Sequence, residues 1–538
     1  MAARIVNRVV YSPFPDFDVG NSSVSVLIEE RLKTLANKTI IVDKHQSLTA
    51  YQLLGKIRRY AVGYQKHGVK PGSKVCANIG NTVENVAAAL GVVFAGGTLV
   101  MAKMAYVARE LVFTIEDSHC TFLLVDEKSA PNVAKLSVPP CIKTVFSVGS
   151  MLGFVNVRQF QESSDASFKP HVPTDTEEEV VVLLYTSGST GLPKAVEISH
   201  KTYCAAFYSF RSTGICTEDD VYLAWNPFTH VSGFAVAMFS MFIGAKIVIT
   251  DPLIPYKGFL HILKTFQVSL LIGFPGRMQE IVNEARINKD SVSRVQKIMV
   301  GGSVITKSVA KDVSETFQVE SLISCYGLTE AFGLFIFSPV GQITYDSSGF
   351  LVAGSKVKIT DLTTGDSLDT HQNGEILVHS PQIMKGYYGH PKATAEALSD
   401  DGWLRTGDLG YYDTEGRIYI IDRLKEMIKC MGNVVTPAEL EEILLTHEAV
   451  AEAVVVGVPS SKYGEAPTAC VVVKDGFEKS LESLATELKA LIAGQAAVFK
   501  QLYGGVLFMK SLPMSNNGKI LRQDLKTKVT QEKEKLGK

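Results

Sequence analysis

The 538-residue chain has almost no charge of either sign to spare: 54 Lys and Arg face 55 Asp and Glu, a formal net charge of −1. That balance removes the electrostatic case for a nucleic-acid partner. Cysteine is sparse and scattered, at positions 76, 120, 141, 204, 216, 325, 430 and 470, with no C-x-x-C pair. The spacing argues against a disulfide framework or a zinc knuckle, and reduced thiols in an intracellular setting are expected. The N-terminal MAARIVNRVVYSPFPDFD lacks the apolar stretch of a secretory signal, and the C-terminal KEKLGK is not an S-K-L address. Cytoplasm or peroxisome is the expected location. Long apolar runs are missing too, except Val231 to Thr250. Gly244 and Lys246 break that run, which therefore reads as helix, turn and buried strand rather than a transmembrane span.

What is present is a globular composition, 46% apolar and 20% charged, in a chain too long for one core, so two or more domains are expected. The first half alternates strands and helices. Thr49 and Gln52 stand at capping-box spacing before a helix that closes at Gly68, and Val75 to Ile79 is a strand. Asn81 and Glu84 are expected to cap the next helix. TLVMA, a helix around RELVFTIEDS and the strand TFLLVD continue the pattern. Apolar strands of this kind are covered on both faces, which predicts a parallel sheet. Residues 161 to 176 read as a surface connection. After about Ile421 the segments GRIYIID, AEAVVVGVP and TACVVVKDG surround helices at roughly 437–447 and 481–492, an α+β pattern. Thr436 to Glu439 reads as a capping box with Pro at the first helical position, and the charged tail KTKVTQEKEKLGK as a frayed helix.

The strongest local signal is YTSGSTGLPK, residues 185 to 194, after the apolar run VVVLL. Its glycines let backbone approach phosphate oxygens, Ser187, Ser189 and Thr190 add hydroxyls, and Lys194 adds charge. It is neither a Walker A loop nor a dinucleotide G-x-G-x-x-G. Composition alone does not separate it from an ordinary polar loop.

The ten residues resemble the phosphate loop of the adenylate-forming superfamily, which includes acyl-CoA synthetases, 4-coumarate-CoA ligases, beetle luciferases and peptide-synthetase adenylation domains. Further motifs follow in family order: Tyr326-Gly-Leu-Thr-Glu330, Gly374-Glu375, Gly386-Tyr387 with Pro391 and Thr394, GWLRTGDLGYYDTEGRIYIIDRLK at 402 to 425, and Asn517-Gly518-Lys519. The resemblance implies an α/β large N-terminal domain (1–421), a hinge at 422–425 containing Asp422 and Lys425, and a smaller, mobile α+β C-terminal domain (426–538).

The resemblance also implies roles. ATP would be held by Thr186, Ser187, Gly188, Ser189, Thr190, Gly191, Lys194, Gly302, Ser303, Tyr326, Gly327, Thr329, Asp408 and Arg423. Within that set Asp408 takes the ribose diol, which a carboxylate's two acceptor oxygens suit, Tyr326 lies against adenine, and Thr329 lies near the α-phosphate. Glu330 is implied on Mg²⁺, an ion that needs only one or two carboxylates beside phosphate oxygens. Lys519 would bridge the acid's carboxylate and the α-phosphate, two anions that repel until a cation stands between them. Lys429 would serve the second half-reaction, and His230 would stand at the mouth of an acyl pocket with Val231, Ser232, Phe234, Phe274 and Gly301. No Asp or Glu occurs from Val221 to Thr250, which leaves no counter-ion for an amino-acid substrate.

Some positions depart from the family pattern. Val434 follows Gly432-Asn433 where many ligases carry Gln or Asn, Met431 replaces a common lysine, and LLIGFPGRM replaces the usual pocket turn. The expected activity is an ATP- and Mg²⁺-dependent acid–thiol ligase that makes acyl-CoA from coenzyme A and an apolar carboxylic acid, a medium or long fatty acid or an aromatic acid rather than acetate, through an acyl-adenylate. A luciferase-type monooxygenase using the same adenylation site, a carrier-loading adenylation domain and a non-catalytic nucleotide-binding homologue are the alternatives.

Overall fold

The structure, a computed structural model, describes residues 2–536 apart from 137, 187–192, 289–291, 293, 294, 304, 344, 346, 475, 478, 479 and 516–519. The apolar runs of the first half do form parallel strands. Thr98–Met101 lies between Val180–Thr186 and Lys74–Asn78, and the ladder continues through Phe122–Asp126, Thr144–Val148 and Val155–Asn156. Lys194–Ser199 and then Gly386–Tyr387 extend it antiparallel at the edge, to eight strands among the described residues. A second sheet has a parallel centre of Thr39–Val42, Lys246–Ile249, Val221–Ala224, Leu270–Gly273, Lys297–Gly301 and Ser321–Leu328, with Gly333–Phe337 antiparallel beside the last.

Helices Ala50–Lys66, Val83–Phe94, His200–Ser212 and Val231–Ile243 share one core with side chains of both sheets and so lie between them. The sequence of Val83–Phe94 explains this: VENVAAALGVVF offers no polar face, and every residue except Glu84 is buried. Gly91 allows the close approach of its neighbour, since a Cβ there would fall 2.4 Å from Cβ of Tyr60. The run Val231 to Thr250 resolves as read, into the helix Val231–Ile243, Gly244 at φ 125° and the strand Lys246–Ile249. Among the described residues no helix is long and apolar enough to cross a membrane.

Three local expectations need correction. The Thr49–Gln52 capping box forms, but the next helix is capped by Thr82, whose side chain accepts from the Asn85 N–H. Glu84 instead meets Lys56 and Tyr60 on the neighbouring helix. Thr436 makes no side-chain cap although Pro437 opens its helix, and Glu439, the other half of the expected box, pairs with Lys500 at 2.6 Å. The tail is a continuous helix, Arg522–Leu536, anchored by buried Leu525 and Val529.

A six-stranded sheet was not legible in the pattern. It runs Arg4–Val6, Val9–Tyr11, Lys356–Thr360, Gly374–His379, Leu404–Tyr412 and Ile418–Arg423, antiparallel throughout. GRIYIID, grouped by sequence with the C-terminal strands, belongs here, paired from Asp408↔Arg423 to Tyr412↔Ile418. The chain reaches the next sheet at Ile428–Cys430, which joins Asn433–Val435, Val450–Ser460, Gly464–Val473 and Gly505–Met509. Helices Pro437–Leu445 and Leu481–Gln495 bury Leu440, Leu444, Leu484 and Leu488 in a separate core. The architecture is a large N-terminal α/β domain and a small C-terminal α+β domain.

Candidate functional site

In the second sheet the parallel strands Val221–Ala224, Leu270–Gly273, Lys297–Gly301 and Ser321–Leu328 all end on the same edge, so His230, Phe274, Gly301 to Ser303 and Tyr326 to Glu330 gather there. The carboxyl ends of parallel strands are where open α/β sheets bind ligands. Neighbouring register confirms the proximity: Gly301 lies opposite Cys325.

At this edge Tyr326 donates its hydroxyl to Oδ2 of Asp408, and Arg423 Nε stands 3.4 Å from Oδ1. Asp408 is only 2% exposed, so its charge is lodged among donors rather than water. Burial and then the Asp408 charge hold the Tyr326 hydroxyl well above the ordinary phenol range. Burial works against the Arg423 charge, but Asp408 outweighs it and the guanidinium pKa rises. The turn carrying Asp408 is fixed from the adjacent strand. Buried Glu375 takes Arg405 and, at 3.3 Å, the Gly407 N–H, while Thr406 Oγ1 donates 2.8 Å to the Ile376 carbonyl and accepts 3.1 Å from the Asp408 N–H. Gly407 takes φ 68°, a left-handed conformation that favours glycine. The Gly374-Glu375 motif thus has a physical purpose that its sequence did not disclose.

Glu330 sits in the single turn Thr329–Ala331 that follows Ser321–Leu328. Its Oε1 accepts 2.8 Å from the Tyr387 hydroxyl, and its carbonyl accepts 2.8 Å from the Met384 N–H. Buried Gln382 steadies the same turn by donating 2.9 Å to the Ala331 carbonyl. Lys194, at the start of the strand Lys194–Ser199, places Nζ 5.2 Å from the Tyr387 ring centre. Thr186 pairs with Lys194 in register; Ser187, Gly188, Ser189, Thr190 and Gly191, expected in the phosphate cradle, lie outside the described residues. Among the described residues no three His, Cys, Asp or Glu side chains cluster as a metal cage. A lone carboxylate with one oxygen taken by a phenol and the other accepting no hydrogen bond from a described residue fits magnesium, which completes its shell with phosphate and water oxygens.

His230 is the N-cap of the helix Val231–Ile243. Its Nδ1 accepts from the Ser232 N–H at 3.2 Å and lies 2.8 Å from Ser232 Oγ. In the neutral ring that contact puts the proton on Nε2, so the outer nitrogen is a donor. Asn81 anchors the loop before it, accepting 2.8 Å from the Phe228 N–H and donating to the carbonyls of Asn226 and Thr250. Spacing had assigned Asn81 to a helix cap; only the tertiary structure shows that it ties the two sheets together.

The pocket residues divide. Val231 and Ala235 face Gly333, where a Cβ would meet them at 3.9 and 3.6 Å. Phe234 is 1% exposed and packs its ring against Phe228 at 5.2 Å and Tyr203 at 6.2 Å, so it belongs to the wall behind the first helical turn. Phe274 lies against Gly302, whose Cβ would fall 2.3 Å from the ring, and Gly302 has φ 85°. Gly301 is closed off by the Cys325 carbonyl, 2.3 Å from a Cβ position. Gly302 and Ser303 are exposed, as a surface for a planar group requires.

On the small domain, Lys429 is exposed on Ile428–Cys430, its N–H donating 2.9 Å to Glu465. No described contact joins it to the Tyr326–Asp408–Arg423 group. Lys519 lies outside the described residues, but Met514 and Ser515, just before it, close a cleft whose other wall is Trp225, Pro252, Phe274 and Arg277. Asp422 is buried at the end of the large domain. Its Oδ1 accepts 2.8 Å from the Arg423 N–H, its Oδ2 has no described partner, and burial pushes its carboxyl to about 6 against the pull of Arg522. Lys425, three residues on, is exposed.

Two sheets enclosing a helical layer, strand ends that gather an Asp–Tyr–Arg cluster beside a lone Glu, and a small domain reaching over them define an adenylate-forming enzyme. The AMP-binding enzyme family model matches residues 28–388 and the AMP-binding enzyme C-terminal domain model residues 439–519. The chain belongs to the AMP-binding enzyme family of the adenylate-forming superfamily. It is 31% identical over 513 residues to 4-coumarate–CoA ligase 5 of Oryza sativa subsp. japonica, covering 93% of each chain. Over 531 residues it is 30% identical to luciferin 4-monooxygenase of Luciola mingrelica, covering 95% of this chain and 96% of the relative. Among solved structures, the anthranilate CoA ligase AuaEII in complex with anthranoyl-AMP superposes with a TM-score of 0.86 at 22% identity, covering 95% and 98% of the two chains. ATP-bound MatB from Rhodopseudomonas palustris gives 0.85 at 24% identity, covering 94% and 99%.

Proposed function

We propose that the chain is an ATP-dependent acid–thiol ligase that converts an apolar fatty or aromatic carboxylic acid to its CoA thioester through an acyl-adenylate. The observation that carries this reading is the buried Asp408, held by Tyr326 and Arg423 at the strand ends that also bear Glu330 and His230. In the first half-reaction a carboxylate oxygen attacks the α-phosphorus, and the bond to pyrophosphate breaks. Asp408 holds the ribose hydroxyls, Tyr326 with Gly302 and Ser303 bounds the adenine, and Gly327 and Thr329 line the α-phosphate side. Lys194 and the loop from Thr186 hold the outgoing phosphates. Lys519, carried on the segment after Ser515, neutralises the two anions as they meet. Magnesium bound at Glu330 would supply charge against the β- and γ-phosphates. His230 offers its Nε2–H to the acid's carboxylate at the pocket mouth. In the second half-reaction the small domain turns about Asp422 to Lys425, withdrawing Lys519 and bringing Lys429 forward; the thiolate of coenzyme A attacks the acyl carbon and AMP leaves.

Val231, Phe234 and Phe274 supply apolar side chains to the proposed pocket, and the ring of Phe234 packs against Phe228 and Tyr203. Those apolar side chains favour an aryl acid or a medium or long fatty acid over acetate. The test is an acid panel with ATP and CoA, scoring AMP release and thioester separately. Efficiency is expected to rise from acetate to hexanoate, because each buried CH₂ contributes about 0.8 kcal/mol, with aryl acids turned over and free amino acids refused. The luciferin 4-monooxygenase relatives support a second reading, in which O₂ oxidises the adenylate. Light emission with luciferin, ATP and O₂ in place of thioester would select it.

A further inference from the structure

The motif Gly386-Tyr387, with Pro391 and Thr394, has no role in the chemistry described so far, yet its tyrosine touches both ends of the phosphate site. The hydroxyl donates to Glu330 Oε1 at 2.8 Å, and the ring face lies 5.2 Å from Lys194 Nζ. The side chain is fixed by its backbone. Tyr387 pairs with Val196 on the strand that begins at Lys194, and its N–H donates 2.9 Å to Thr394 Oγ1, which donates 3.1 Å to the His390 carbonyl. Gly386 permits that approach, since a Cβ there would stand 2.9 Å from Thr394 Cγ2. The same short segment ties down the Glu330 turn through the Met384 N–H and the phosphate strand through the Lys385 N–H, which donates 3.0 Å to the Glu197 carbonyl.

A lysine and a glutamate brought this near would neutralise one another if nothing stood between them. Each would then be lost to the nucleotide. No ion pair joins Lys194 to Glu330 among the described residues; the phenol gives the carboxylate a donor and the ammonium a π face instead. We infer that Tyr387 is a positioning residue, which keeps Lys194 and Glu330 apart and oriented so that the first faces phosphate and the second a divalent cation. The inference rests on the adenylation reading.

The test measures binding of a fluorescent ATP analogue to the full chain in EDTA and over a Mg²⁺ titration. In the wild type Mg²⁺ tightens binding. Tyr387→Phe keeps the ring, so binding in EDTA should be unchanged while the Mg²⁺ concentration for half-maximal tightening rises about tenfold, the value of a hydrogen bond to a charged group. Tyr387→Leu loses the ring as well, so binding in EDTA should also weaken, about threefold. In a Glu330→Gln background, Tyr387→Phe should add nothing, because the pair acts as a unit; this arm decides the matter if Tyr387→Phe alone melts early. An unchanged Mg²⁺ midpoint in Tyr387→Phe, an equal loss with and without Mg²⁺, or additive losses in the double variant would overturn the role of Tyr387. A wild type that binds no nucleotide under either condition would instead overturn adenylation, and Tyr387's role with it.

Discussion

Asp408 is a carboxylate almost sealed from water, and two of its described partners, the Tyr326 hydroxyl and the Arg423 guanidinium, come from different strands of different sheets. Tyr326→Phe removes one of them from a buried charge, a loss of about 1.5–3 kcal/mol, so AMP should bind at least about tenfold more weakly by titration calorimetry. An unchanged affinity would show that the hydroxyl is idle. Gly301 is the opposite case. The resemblance placed it in the acyl pocket, but a Cβ there meets the Cys325 carbonyl. Gly301→Val is therefore expected to lower the melting temperature by several degrees, through overpacking of about 1–3 kcal/mol. A stable variant with only a shorter preferred acid would restore the original reading. At this scale the motif residues were legible because their types and order are distinctive. Gln382 and the roles of Asn81 and the motif residue Tyr387 were not, because each acts through a partner far away in sequence.

The segment proposed as the hinge, DRLK, begins at the end of the strand Ile418–Arg423 and leads toward Ile428–Cys430. Asp422 is the next-to-last residue of the strand Ile418–Arg423, with its carboxyl raised by burial to about 6. A raised carboxylate stabilises the fold fully below its unfolded value, near 3.8, and loses that contribution as pH climbs through 6. Asp422→Asn, which cannot ionise, should therefore gain stability relative to the wild type between pH 4 and pH 7 and hold the gain above it. Melting curves of both proteins across that range check this; a difference that does not vary with pH would show that Asp422 titrates normally. Strands and helices of the first half were readable from apolar runs and capping pairs. The six-stranded sheet was not, since alternation shows that GRIYIID is a strand but not that Leu404–Tyr412 is its partner. Caps shifted for the same reason: Glu84 and Glu439 pair with Lys56 and Lys500 rather than with their own helix ends.

For the whole molecule, division into a large and a small domain matters because the proposed reaction must first join two anions and then expose the product to a thiol. Lys519 and Lys429 are proposed for successive stages, so their substitutions should separate. Lys519→Ala should slow adenylation by about 10²–10³-fold, the range for removing a preorganised group at the reacting centre, while a supplied acyl-adenylate is still converted to thioester. Lys429→Ala should release pyrophosphate normally and slow acyl transfer. Equal damage to both half-reactions by either variant would break the division of labour. The most direct measurement is a single-turnover experiment with ATP, Mg²⁺ and the preferred acid, quenched before and after CoA is added. The account predicts enzyme-bound acyl-adenylate and pyrophosphate before addition, then one thioester and one AMP for each ATP consumed. Adenylate that accumulates but never passes to CoA, or ADP and phosphate as products, would contradict it.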